Sequence, residues 1–219
     1  MRQKQPTRTD ISRRLCSLGL AAIACLAIGS IASAQEARVP ANVPAGNGSR
    51  YPTYEDVTDK AHLNFVNSFG EQKLSSVLES AGQGCAWFDY NNDGLLDLYV
   101  LNGRYLDGVT DHSKPDGQDA TNHLYRNNGD GTFTDVTQEA GVPGKGFAMG
   151  VTVGDYDNDG YEDIYVTNWN SAILYHNNGD GTFTDVTEKA GVQNNHWGIG
   201  AAFVDYDRDG KLDLFVGNS

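Results

Sequence analysis

LYHNNGDGTFTDVTEKAGV, residues 174–192, repeats LYRNNGDGTFTDVTQEAGV, residues 124–142, at an offset of 50. Self-similarity at a fixed period marks a repeat fold, in which one unit cannot bury its apolar face alone. Inside the quoted stretch, Asn-Gly and Asp-Gly pairs lie between short alternating runs. That pattern predicts a tight hairpin turn over 177–181, joining strands at 173–176 and 182–186. Upstream, 149–154 and 164–167 read as two more short strands, and 188–190 as a brief helical turn. Four short antiparallel strands per repeat, with no long helix between units, build one propeller blade. A parallel β-helix would need much shorter repeats and fewer hairpins. The expected fold is therefore all-β: a partial β-propeller of four-stranded antiparallel blades, with units at 84–142, 147–192 and 197–219. A closed ring takes about four to eight blades. About two and a half are visible here, so a longer protein, or failing that an assembly of copies, is expected.

Between the first two strands of the unit stands DYDNDGYED, residues 155–163. Asp155, Asp157, Asp159 and Asp163 fill loop positions 1, 3, 5 and 9, and Gly160 fills position 6. Alternate residues of a tight loop turn inward, the glycine permits the sharp bend, and the carbonyl of Tyr161 can point back. That is a cage of hard oxygens for a cation with about six to eight ligands, which suits calcium better than the stricter magnesium octahedron. Two further copies occur, DYNNDGLLD at 89–97 and DYDRDGKLD at 205–213. One such string is compatible with an ordinary turn, but three with matching positions predict about one calcium ion per loop. An EF-hand would need Glu at position 12 and flanking helices. Position 12 is Val100, Val166 or Val216, inside apolar β-type runs.

The chain carries a formal net charge of −13. Residues 1–34 read as an export signal: a basic start (Arg2, Lys4, Arg8, Arg13, Arg14), an apolar run over 15–31, and Ala32-Ser33-Ala34 as cleavage pattern. Its removal leaves the remainder more acidic still, which argues against nucleic acid as partner. The pair Arg13-Arg14 suits a twin-arginine route, but 15–18 fit that pattern poorly, so both export routes stay open. Export makes the chain secreted or periplasmic, with no membrane insertion after cleavage. Residues 35–50, rich in Pro, Gly and Asn, read as a linker, and 51–219 as the repeat domain. Of three cysteines only Cys85 lies past the signal, on an expected strand, as a small apolar residue without a disulfide partner.

The acidic loops at Asp89 and Asp155 are 66 residues apart, so the first unit carries an insert within 101–122, read as a long polar surface loop and a candidate for partner contact. TYEDVTDKA, 53–61, matches TFTDVTEKA, 182–190, and is expected to supply an outer fourth strand. Phe147 and Trp197 occupy equivalent positions and read as blade packing. The five histidines (His62, His112, His123, His176, His196) are scattered singly and read as surface or strand-end residues. No nucleophile elbow, zinc-protease helix or phosphate loop is present.

DYDNDGYEDIYVTN and LYRNNGDGTFTDVT make residues 51–219 resemble FG-GAP/VCBS repeat proteins. Their propeller is similar to the integrin α head, and the likeness is strongest to the secreted branch of cartilage acidic and ASPIC/UnbV-type proteins. The resemblance implies calcium in each loop. By position the ligands are Asp89, Asn91, Asp93, Leu95 and Asp97; Asp155, Asp157, Asp159, Tyr161 and Asp163; and Asp205, Asp207, Asp209, Lys211 and Asp213. Leu95, Tyr161 and Lys211 would serve through their backbone carbonyls. Asn91 lowers the charge of the first site. The implied function is non-enzymatic adhesion, or binding of a protein or glycan, with calcium structural. The alternative is the scaffold part of a secreted polysaccharide-active enzyme whose catalytic residues lie elsewhere.

Overall fold

The computed structural model describes residues 53–68, 76–80, 83–106 and 120–219. The expected signal (1–34), linker (35–50) and most of the insert lie outside the described residues. Behind a short 3-10 helix at Val77–Ser80 come β1 (Cys85–Phe88), β2 (Asp97–Val100), β3 (His123–Asn127) and β4 (Phe133–Asp135). The helical turn α1 (Thr137–Ala140) leads to β5 (Ala148–Gly154), β6 (Asp163–Asn168), β7 (Ser171–Asn177) and β8 (Phe183–Asp185). Turn α2 (Thr187–Ala190) leads to β9 (Gly198–Val204) and β10 (Asp213–Asn218). The strands form antiparallel meanders, β1-β2-β3-β4 and β5-β6-β7-β8, followed by the pair β9-β10. The molecule is all-β and a partial β-propeller.

Alternation along a strand explains how these sheets stack, because successive side chains point to opposite faces. In β2, Tyr99 enters the core shared with the second sheet, while Leu98 and Val100 enter a core on the other face. In β6, Ile164 and Val166 join the first of these cores and Tyr165 faces β9 and β10. All residues of β2 and β6 are buried, as befits strands covered on both faces. The face of the first sheet carrying Leu98 and Val100 is covered by Leu63 and Phe65.

The first strands of successive sheets lie side by side, β1 against β5 and β5 against β9. Glycine sets how closely β5 and β9 approach. A Cβ on Gly150 would stand 2.6 Å from the Ile199 carbonyl oxygen and 3.0 Å from Gly200 Cα, both backbone atoms. Gly150→Ala is therefore expected to push the sheets apart and cost about 1–3 kcal/mol, the usual penalty of overpacking. A urea melt checks this, and an unchanged midpoint would contradict it.

Each unit ends on one local device. Asp135 accepts from the Thr137 N–H at 3.0 Å and hydroxyl at 2.5 Å, and Asp185 from those of Thr187 at 3.1 and 2.6 Å. The threonine oxygens accept in turn from Leu124 N–H (2.9 Å) and Leu174 N–H (2.8 Å), tying helical turn to third strand. Asp56 and Thr58 form the same turn, at 3.0 and 2.7 Å. The outer strand expected within 53–61 is not formed, however. A turn is encoded locally, whereas a strand requires a ladder partner. Residues 53–57 have no assigned pairing, and the residues after them pack on the first sheet. The ends of the 101–122 insert are pinned by the Asn102 N–H donating to Asn122 Oδ1 at 2.9 Å.

Candidate metal centre

Each acidic loop closes the hairpin between the first two strands of a sheet. Register places the position-9 aspartate on the first residue of the second strand: Phe88 pairs with Asp97, Gly154 with Asp163, and Val204 with Asp213. The three loops share one set of bonds. The position-1 carboxylate accepts from the N–H groups of positions 5 and 6. The distances are 3.0 and 2.8 Å at Asp89, 3.0 and 2.9 Å at Asp155, and 3.0 and 3.0 Å at Asp205. The position-5 carboxylates of Asp93, Asp159 and Asp209 accept from Leu95, Tyr161 and Lys211 N–H, each at 2.9 Å. The position-7 residues thus sit where the loop turns back. Position 4 takes the left-handed backbone in every copy, at Asn92 (φ 56°), Asn158 (61°) and Arg208 (65°), as does Gly160 (93°) at position 6. Only the glycine was legible as a turn requirement from sequence.

Position 9 is the structural anchor. Asp163 is fully buried. It accepts from Tyr156 N–H at 3.1 Å within its loop and from Asn177 N–H at 2.8 Å on the third strand. Asp97, also fully buried, repeats this with Tyr90 (3.2 Å) and Asn127 (2.7 Å). Burial pushes the carboxyl of each up to about 6, against the pull of those backbone bonds. Loop neighbours Asp93 and Asp89 push Asp97 the same way, and Asp157 does so for Asp163. A buried carboxyl beside other carboxyls is costly to ionise unless a cation joins it.

Carboxylate oxygens of Asp155, Asp157 and Asp163 lie within 4.8 Å of one another, as do those of Asp205, Asp207 and Asp213. Two of the three loops thus bring positions 1, 3 and 9 together. Among the described residues the first loop assembles no such acidic triple. There Asn91 spends its amide on Asp93, at 2.9 Å. The sets drawn from positions 1, 3 and 9 are all oxygen and fit a hard divalent cation, while a further grouping places a His176 ring nitrogen within the same distance of Asp157 and Asp159.

His176 is a member of the second cluster that sequence reasoning placed on the surface or at a strand end. Its Nδ1 stands 3.2 Å from Asp163 Oδ1 and 3.4 Å from Asp157 Oδ2, and its Nε2 3.9 Å from Asp159 Oδ2. Nδ1 is off line for a hydrogen bond. The available signal was alignment of the two long repeats, which puts His176 where the other unit has Arg126, a basic residue in both. His123 does lie at the start of β3, with Nδ1 2.6 Å from Asp135. Phe147 is fully buried, and Trp197 packs edge-on against Trp169 at 5.3 Å in the same cluster. Cys85 is half-buried on β1 and forms no disulfide. No helix among the described residues is long and apolar enough to cross a membrane.

A family model described as FG-GAP-like repeat matches residues 89–166 and again 155–216, each window opening on the first aspartate of an acidic loop. Cartilage acidic protein 1 of Xenopus tropicalis is 39% identical over 56 residues, covering 25% of this chain and 9% of the relative. Cartilage acidic protein 1 of Homo sapiens is 41% identical over 56 residues, covering 25% of this chain and 8% of the relative. The match spans less than a tenth of those relatives' length.

Proposed function

The chain belongs to the FG-GAP-like repeat family, and from that premise we propose that it is an exported, non-catalytic module that binds another macromolecule, a protein or glycan, with calcium as its structural ion. The observation that carries this reading is the convergence of positions 1, 3 and 9 around the buried Asp163 in the second loop, which the third loop repeats around an exposed Asp213. Calcium there neutralises the carboxylates and pins a hairpin to the third strand, so its binding free energy becomes folding free energy. Asp155, Asp157 and Asp163, with Asp159, would hold it in the second loop, and Asp205, Asp207, Asp209 and Asp213 in the third. Asp89, Asn91, Asp93 and Asp97 would form a weaker first site. The signal would be cut near Ala34, giving a mature start at Gln35. The test is retention of the chain on immobilised extracellular proteins and polysaccharides, in calcium and in chelator. Calcium-dependent retention on one class is expected; no retention on any, or retention indifferent to calcium, would overturn the reading.

A pH dependence follows from the raised position-9 carboxyls. Asp97 and Asp163 hold a proton up to about pH 6 when folded, against 3.8 for the ordinary carboxyl. The folded chain then binds more protons than the unfolded one, and stability from this source is full below 3.8 and lost as pH rises through about 6. The turn aspartates Asp130 and Asp180 are held below the usual range by bonds from Thr132 and Thr182, so they act in the opposite sense and at lower pH. Calcium requires the ionised form. In chelator, the melting temperature is expected to fall between pH 4 and 6.5, while the increment added by calcium grows. Thermal melts check this, and a calcium increment independent of pH would contradict it.

A further inference from the structure

The acidic loops of neighbouring blades are joined directly, by side chains that serve neither cage. Asn92, at position 4 of the first loop, donates its amide to the Gly160 carbonyl of the second at 2.9 Å. Asn158, at position 4 of the second, donates to the Gly210 carbonyl of the third at 3.3 Å. The peptide groups that receive these bonds are already engaged on their other side. Tyr161 N–H, in the same peptide as the Gly160 carbonyl, donates to Asp159, and Lys211 N–H, beside the Gly210 carbonyl, donates to Asp209, each at 2.9 Å. One rigid peptide unit thus connects the asparagine of one loop to the position-5 carboxylate of the next. A second joint is the fully buried Asn177. Its N–H holds Asp163 at 2.8 Å, and its amide reaches the Tyr90 carbonyl of the first loop at 2.8 Å and the Glu162 carbonyl at 3.2 Å.

We propose that the three loops take up cations cooperatively, with Asn92 and Asn158 as positioning residues that pass the ordering of one loop to the next through the 160–161 and 210–211 peptides. This rests on the calcium reading above. An ion that orders one loop fixes its position 4, and through it the carbonyl and carboxylate of the neighbour. The neighbour then binds with less ordering left to do. The effect is reciprocal, as any linkage between binding sites must be.

The test is a calorimetric calcium titration of the full chain and of N92G, N158G and the double variant. Glycine suits the positive φ at both positions and removes the side chain that carries the amide. The unsubstituted chain is expected to titrate more steeply than independent sites, each filled loop raising its neighbour's affinity about 5-fold or more. At unchanged stoichiometry N158G loses the step between the second and third loops, N92G weakens the step between the first and second, and the double variant keeps only what Asn177 passes between the first two loops. Calcium uptake without cooperativity, or variants that keep the original steepness, would overturn the coupling alone. Variants that bind fewer ions would also overturn it, because the asparagines would then be holding the loops' fold. No uptake by the unsubstituted chain would overturn the calcium reading, and this proposal with it.

Discussion

Asp163→Ala destabilises the chain in chelator as well as in calcium, whereas Asp157→Ala destabilises it only in calcium: that split is the expected result of truncating two aspartates of one loop. Asp163 is fully buried and holds two backbone N–H groups, of Tyr156 and Asn177. Removing it strands both, at about 1–3 kcal/mol each, before any ion is considered. Asp157 is exposed, with its Oδ2 3.4 Å from His176 Nδ1. Its loss in chelator falls in the range of ordinary surface changes, about 0.5 kcal/mol. With calcium present it forfeits that site's stabilisation. Melts of both variants in both conditions check the split. Equal effects of Asp157→Ala with and without calcium would remove it from the ligand set.

Calcium itself should act strongly on the unsubstituted chain. Extracellular calcium modules bind at about 10⁻⁴ to 10⁻³ M. At about 5 mM calcium, three sites in that range stabilise by about 3–7 kcal/mol together. For a domain of this size that is a rise in melting temperature of roughly 10–20 °C. Magnesium at the same concentration should give little, since it keeps its waters and wants a smaller, stricter shell. An equal rise with magnesium would mean general screening of a chain whose formal net charge is −13, not occupation of a cage.

What was legible in the sequence is what is written locally and repeated. Asn-Gly and Asp-Gly pairs announced the turn that the structure closes with Asn178 N–H on the Thr182 carbonyl at 2.9 Å. Apolar alternation announced strands, and β5 to β8 fall on the expected runs to within two residues. The acidic spacing named residues that the structure gathers in the second and third loops. The outer strand expected within 53–61 failed for the converse reason: its turn is local and forms, while its ladder needs a partner that no local pattern specifies. The bonds between loops were out of reach too. Asn92 and Gly160 are 68 residues apart and Asn177 and Tyr90 are 87 apart, and both pairings exist only once one blade is stacked on the next. His176 lay between these cases. Its neighbours in sequence say only that it sits on a strand, and the pleat decides that its ring meets Asp163.

The most direct measurement of the central claim is the number of calcium ions held by the folded chain, from equilibrium dialysis with calcium-45 at neutral pH. Three ions per chain are expected at saturation, the first loop filling last because Asn91 replaces a carboxylate, and Asp157→Ala should lower the count to two. A folded chain that retains no calcium, or an Asp157→Ala chain that retains all three ions, would contradict the account.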